Sequence, residues 1–191
     1  MNQKHAVILL GAVLIILLLA VEFTAPPTNS NGTRTFSNGG ISFEYPQDLS
    51  ESSVLLDQIA TLDFEGMLHG NTIGNLISED AGYNLQVDRY SLSSFYANST
   101  QDVLDEEKAE LKDVNSSVLS ENTTNANGLA VHEMLVYSND TDQKTFFAIV
   151  VKDQRVCILQ FNPLLNGNAE QSSIDDLVPA FQKIVSTVKV D

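Results

Sequence analysis

Between residues 116 and 162 the chain carries four strand-like segments in close succession, 116–122, 129–137, 144–152 and 155–162, and this run limits the fold more than any other feature. Asn139-Asp140 and Asp153-Gln154 are turn formers between the last three, so these strands are read as hairpins. Upstream, 34–36 and 41–45 are strand-like around Asn38-Gly39-Gly40, residues that tolerate positive φ. Pro46 ends the second of them because it brings no amide to a ladder. Segments 61–69, 72–78 and 83–90 read as further strands, broken by His69-Gly70-Asn71 and Asp80-Ala81-Gly82.

Two helices are expected. Ser99-Thr100-Gln101-Asp102 has the layout of a capping box and opens a helix to about Lys112, with Val103, Leu104 and Leu111 as its apolar side. Near the end, Leu177, Val178, Phe181, Ile184, Val185 and Val188 recur at three- and four-residue steps, which gathers them onto one stripe. Asp176 is read as its N-cap, placing Pro179 at the third helical position, where no intrahelical amide bond is lost. Strands mostly joined by hairpins and flanked by two helices make an α+β domain with an antiparallel sheet.

The first part of the chain follows other rules. Residues 6–21 are an unbroken apolar run, long for a signal-peptide core and slightly short of the roughly 20 residues that span a bilayer. Residues 1–25 are therefore expected to form an uncleaved transmembrane anchor, with a cleaved signal as the alternative and a buried helix of a soluble domain as the third reading. Lys4 precedes the run and no basic residue follows until Arg34, so the short end is expected in the cytoplasm and everything after the run outside. Residues 26–33, rich in Pro, Ser and Asn, read as a linker, and 34–191 as the folded domain of a single-pass cell-membrane protein, or of a secreted one after cleavage. Five Asn-x-Ser/Thr sequons, at Asn31, Asn98, Asn115, Asn122 and Asn139, are candidate N-glycosylation sites of an exterior domain.

Charge narrows the partners. Twenty-five acidic residues against 10 basic ones give a formal net charge of -15, a surface that repels phosphate backbones and anionic headgroups and suits a basic protein patch. Cys157 is the only cysteine, so no disulfide can close within the chain, and its neighbours Val156, Ile158 and Leu159 mark it as an inert core thiol.

Little in the sequence suggests catalysis. His69 and His132-Glu133 are the only starting points for a metal site, without the three or four converging ligands such sites need. Asp102, Asp105, Glu106, Glu107 and Glu110 crowd one helix; 102, 106 and 110 share a face, and the cluster reads as a solvated surface. No G-x-S-x-G elbow accompanies the serines, and the glycines at 39 and 40, and at 66, 70 and 74, read as turns and not as phosphate loops. No catalytic, cofactor-binding or metal-binding residue is assigned, and the chain is read as no enzyme.

Gly40-Ile41-Ser42-Phe43-Glu44-Tyr45-Pro46 at the start, with 156–161 (VCILQF), a loop and then 178–188 (VPAFQKIVSTV) at the end, resembles the PsbP-like family, which shares its fold with a Ran-binding protein of the nucleus. The resemblance spans about 34–191 and departs from the family where a Trp often follows the proline; here Leu49 is the nearest apolar residue. It implies an antiparallel sheet between helices, with the Gly-Gly hairpin packing its aromatics into one end. Members associate with membrane complexes or bind a small GTPase, and neither role transfers residue by residue. The anchor, the sequons and the stand-alone domain together resemble archaeal surface members. The expected function is a non-catalytic binding or accessory protein of a membrane or envelope complex, the alternative a cell-surface binder of a small ligand or divalent cation, and the third a hydrolase.

Overall fold

The computed structural model describes residues 32–52, 70–78, 82–164 and 174–191. Strands β1 (Thr33–Asn38) and β2 (Ile41–Pro46) form a hairpin across Gly39 and Gly40, whose φ values of 59° and 83° are the paired positive values of a two-residue I′ turn. β2 also pairs with the short β10 (Lys189–Val190), making a three-stranded sheet. The larger sheet holds β3 (Ser50–Glu51), β4 (Gly70–Ser78), β5 (Tyr83–Ser91), β6 (Ser116–Ala126), β7 (Leu129–Ser138), β8 (Gln143–Lys152) and β9 (Arg155–Pro163). Its order is β3-β4-β5-β9-β8-β7-β6, and every pairing is antiparallel. A 3-10 turn (Leu92–Phe95) leads from β5 into helix α1 (Thr100–Asp113), and α2 (Ile174–Val185) precedes β10. The fold class is α+β with antiparallel sheets and two helices.

The large sheet is covered on both faces. On one side α2 and the small sheet bury Phe43, Tyr45, Leu85, Phe161 and Phe181; on the other, Val103, Leu104 and Leu111 of α1 cover Met134, Phe147, Ile149 and Ile158. β8 serves both cores, with Phe146, Ala148 and Val150 turned one way and Phe147 and Ile149 the other. Burial on both faces is why β8 and β9 read as nearly continuous apolar runs although they are antiparallel. Phe181 wedges α2 onto the sheet, stacked on Phe161 at 4.0 Å and edge-on to Tyr83 at 5.0 Å. Burying such a ring contributes roughly 2–3 kcal/mol.

Gly74 is inside β4, beside a bulge between Thr72 and Gly74, and not at a turn as its residue type suggested. The ring of Phe36 lies on it, so a Cβ there would sit 2.4 Å from the ring, while Phe36 stacks on Phe43 at 4.8 Å. This contact, the Asn38 side-chain amide donating to Ile73 O at 2.7 Å and the shared burial of Phe43 and Tyr45 dock the small sheet on the large one.

Other boundaries moved for identifiable reasons. β6 runs to Ala126 and not to 122, because Asn127 and Gly128, at φ 51° and 84°, form a second I′ turn into β7. α2 begins at Ile174, so Pro179 lies inside it and Asp176 is a helical residue and not the N-cap. Val188 leaves the helical stripe but stays buried, as the chain turns at Ser186 and Thr187 to reach β10. The capping box is present: Ser99 Oγ accepts the Asp102 amide at 3.2 Å, and the Asp102 carboxylate accepts the Ser99 amide at 3.0 Å. The expected strand 61–69, the turn at 80–82 in its first two residues, Gly66, His69, Asn31 and the run 6–21 lie outside the described residues. No helix among the described residues is long and apolar enough to cross a membrane.

Candidate functional site

The sheet separates His132 from Glu133. Neighbouring residues of a strand face opposite sides, and these two, adjacent in β7, follow that rule. His132 faces α1, its Nδ1 3.1 Å from Thr123 Oγ1, in an open groove of about 290 Å³ bordered by Leu104 and Glu121. Burial, and then the Lys108 ammonium, hold its imidazole below the ordinary value. Glu133 faces α2, 3% exposed, accepting the Thr124 hydroxyl at 2.7 Å and Gln182 Nε2 at 3.0 Å. No acid–base pair and no shared metal site can form from them. Among the described residues no group of three or more His, Cys, Asp or Glu side chains is placed to hold a metal.

A second polar set lies on the α1 side of β4, β5 and β9. Asp88 of β5 is 2% exposed, yet its carboxylate is fully engaged. Thr72 Oγ1 donates to it at 2.6 Å, Gln160 Nε2 at 2.9 Å, and Gln86 Nε2 lies 3.1 and 2.8 Å from its two oxygens. Burial pushes this carboxyl above its ordinary range, against the pull of those donors. The register explains the convergence: Thr72 is opposite Asp88, and Gln86 is opposite Gln160. Beyond them, Asn84 Nδ2 donates to Asn75 Oδ1 at 3.0 Å, and Thr145 Oγ1 donates to Asn162 Oδ1 at 3.2 Å.

The third candidate is the outer side of α1 and the turn before it. Asp105, Glu106, Glu110 and Asp113 are exposed, as is Asp102, whose carboxylate caps the helix and is held below its ordinary range by the Asn98 amide and the Ser99 side chain. Glu107, counted with them in the sequence, is buried, because 103, 107 and 111 recur every four residues and define the inner stripe. Its carboxyl is pushed up to about 7, first by burial and then by the charges of Glu110 and Asp88. Tyr90, half-buried beneath the same helix, is raised by burial and by the charges of Asp88, Glu107 and Glu110. At the end of the 3-10 turn stands Tyr96, 92% exposed and in the left-handed region at φ 50°, between the buried Phe95 and Ala97. For a bulky side chain this backbone is strained, and the ring buries nothing in return.

Of the sequon residues, Asn98, Asn115, Asn122 and Asn139 are all exposed, on the approach to α1, after its end, on β6 and after β7. They do not come together as four. Asn115 and Asn139 touch: Asn139 Nδ2 donates to Asn115 O at 2.7 Å, and Asn115 Nδ2 donates to Asp140 Oδ1 at 2.7 Å. Cys157 is buried, its thiol pushed up by the surrounding core.

With this architecture established, one solved structure matches it over nearly its whole length. The solution structure of cyanobacterial PsbP (CyanoP) from Synechocystis sp. PCC 6803 aligns with a TM-score of 0.55 at 10% identity, covering 89% of this chain and 99% of that one. The fold is PsbP-like. Lesser likenesses, at TM-scores of 0.44 and 0.45, are to a protein of Bacteroides thetaiotaomicron VPI-5482 (12% identity, 84% of this chain and 49% of that) and to PA94 from Pseudomonas aeruginosa (8% identity, 81% and 94%). No family model matches the chain, and no curated protein matches it.

Asp88, Gln86, Gln160 and Tyr96 were not singled out in the sequence. Tyr83, Leu85 and Val87 mark one face of β5 and so assign Gln86 and Asp88 to the other, but nothing in strand alternation says that the other face is also packed. For Tyr96 no sequence signal exists, since its backbone conformation follows from the turn between two buried neighbours.

Proposed function

We propose that this chain is an outward-facing, membrane-anchored domain that works by binding, as a non-catalytic accessory of a membrane or envelope complex. The observation that carries the reading is Tyr96, a large ring held in a strained backbone at 92% exposure in the turn that precedes α1. Strain without a return inside the fold points to a role outside it, and an exposed aromatic ring on a strongly acidic chain suits a basic partner surface with an apolar pocket. The PsbP-like fold supports a binding role without naming the partner. The run 6–21, with Lys4 before it, supports the anchor and the outward orientation, and the sequons support an exterior address and kinship with archaeal surface proteins.

The test is affinity purification of the tagged full chain from its native membrane in mild detergent, with mass spectrometry of what accompanies it. A stoichiometric membrane or envelope protein, lost in Tyr96→Ala and retained in Val114→Ala, is the expected result. The chain recovered alone, or a partner indifferent to Tyr96→Ala, overturns the docking surface. The same spectra read whether residues 1–25 remain and which sequons carry glycan.

A further inference from the structure

Three carboxylates are buried among the described residues, and two of them have donors. Asp88 is met by Thr72, Gln86 and Gln160, and Glu133 by Thr124 and Gln182. Glu107 differs: it is 8% exposed, and among the described residues no donor reaches its carboxyl. It stands in the middle of the inner stripe of α1, one turn from Val103 and one from Leu111. Those two and Leu104 are the apolar side chains that this 14-residue helix buries, so the stripe is interrupted at its centre by a titratable group.

The groups that face Glu107 oppose its ionised form. From β5 come Asp88 and Tyr90, and from the helix itself Glu110. β8 and β9 meet the helix with the neutral Phe147, Ile149, Val156 and Ile158. On β6 and β7 the titratable groups of this side are Glu121 and His132, both beside Lys108, whose ammonium is already paired with Glu121 at 2.6 Å. The helix is tied at its two ends. Leu92 N donates to Gln154 O at 2.8 Å where the 3-10 turn leaves β5, and Asn139 Nδ2 donates to Asn115 O at 2.7 Å just past Asp113. Between these ties Tyr90 lies edge-on to Phe95 at 5.3 Å, so the ring beneath the helix also seats the turn that ends in Tyr96.

We infer that residues 92–114 form a hinged cover on the large sheet whose grip is set by one proton: a neutral Glu107 lets α1 seat, and an ionised one releases it together with the Tyr96 turn. A buried carboxylate without donor or cation gains more from water than from the sheet, and lifting one helix reaches water without opening the core on the other face. Burial, and then the charges of Glu110 and Asp88, raise the seated carboxyl from an ordinary 4.5 to about 7. Seating is therefore strongest below about pH 4.5 and weakens as pH rises through about 7. Where Tyr96 docks a partner, this cover is the regulation of that contact, which weakens in alkaline medium; the cover itself stands or falls without the partner.

The experiment exchanges the full chain, in zwitterionic detergent, into deuterated buffer at about pH 6, 7 and 8, and corrects protection for the intrinsic pH dependence of exchange. Mass spectrometry then compares peptides from 92–114 with peptides from β8. With seated and open values of about 7 and 4.5, protection of 92–114 is expected to fall about tenfold from about pH 6 to about pH 8, while that of β8 holds. In Glu107→Gln the fall is expected to vanish, and in Glu110→Gln, a change at an exposed position, to shrink. Constant protection in the parent, an equal fall in β8, or a fall undiminished in either variant overturns the cover. Flat protection beside a partner lost in Tyr96→Ala would overturn the cover and leave the docking surface standing; a tenfold fall beside a partner indifferent to Tyr96→Ala would do the reverse.

Discussion

Tyr96 and Glu107 are held against their own chemistry, and each makes a measurable prediction. Glycine at 96 removes the left-handed strain and no packing, so Tyr96→Gly is expected to stabilise the domain by about 0.5–1 kcal/mol in urea unfolding. A loss of stability would show that the ring packs in solution. Glu107 has a folded pKa of about 7 against an ordinary 4.5, so the folded state favours the neutral acid. Its favourable contribution is fully present below about pH 4.5 and is lost as pH rises through about 7. Glu107→Gln should therefore gain on the parent by about 3 kcal/mol between about pH 4 and about pH 8. Equal pH dependence of the two proteins would contradict the buried setting. The sequence placed Glu107 in an acidic cluster, and its own spacing from Val103 and Leu111 was the clue to its burial. Asp88 had no comparable clue, because its partners come from β4 and β9 and meet only through register.

At the scale of elements, the docking of the hairpin on the large sheet depends in part on a missing side chain. Gly74→Ala drives a methyl into the Phe36 ring at 2.4 Å, and destabilisation by about 2 kcal/mol is expected from thermal or urea unfolding. If Phe36 simply rotates away, the cost will vanish. α2 carries Pro179 in its interior on an exposed face, where the amide of an ordinary residue would bond to the preceding turn. Pro179→Ala is expected to stabilise the domain by about 1–3 kcal/mol by the same measurement, and a neutral result would place the helix start later than Ile174. The long strands among the described residues, the first I′ turn, the capping box and the apolar stripe of α2 were legible, because each is written in local spacing. The end of β6 was missed although Asn127-Gly128 is a strong hairpin signal, and β3 and β10 were missed because two-residue strands have no period to detect.

Taken whole, the molecule is dominated by like charge. With 25 acidic and 10 basic residues and a half-exposed Lys108–Glu121 pair at 2.6 Å, self-repulsion outweighs local attraction. Raising NaCl from about 20 mM to about 300 mM should increase the melting temperature by about 3 °C, and a fall would show that attractive pairs dominate. By itself the sequence determined the α+β class, the antiparallel hairpins, both helices and the PsbP-like likeness, because alternation, helical spacing and turn chemistry act over a few residues. Only the tertiary structure decided that Glu133 meets Gln182 of α2, that Gly74 receives a ring, and that Asp88 gathers donors from three strands. Those outcomes depend on which segments become neighbours, and strand order and register are set by packing between residues far apart in the chain.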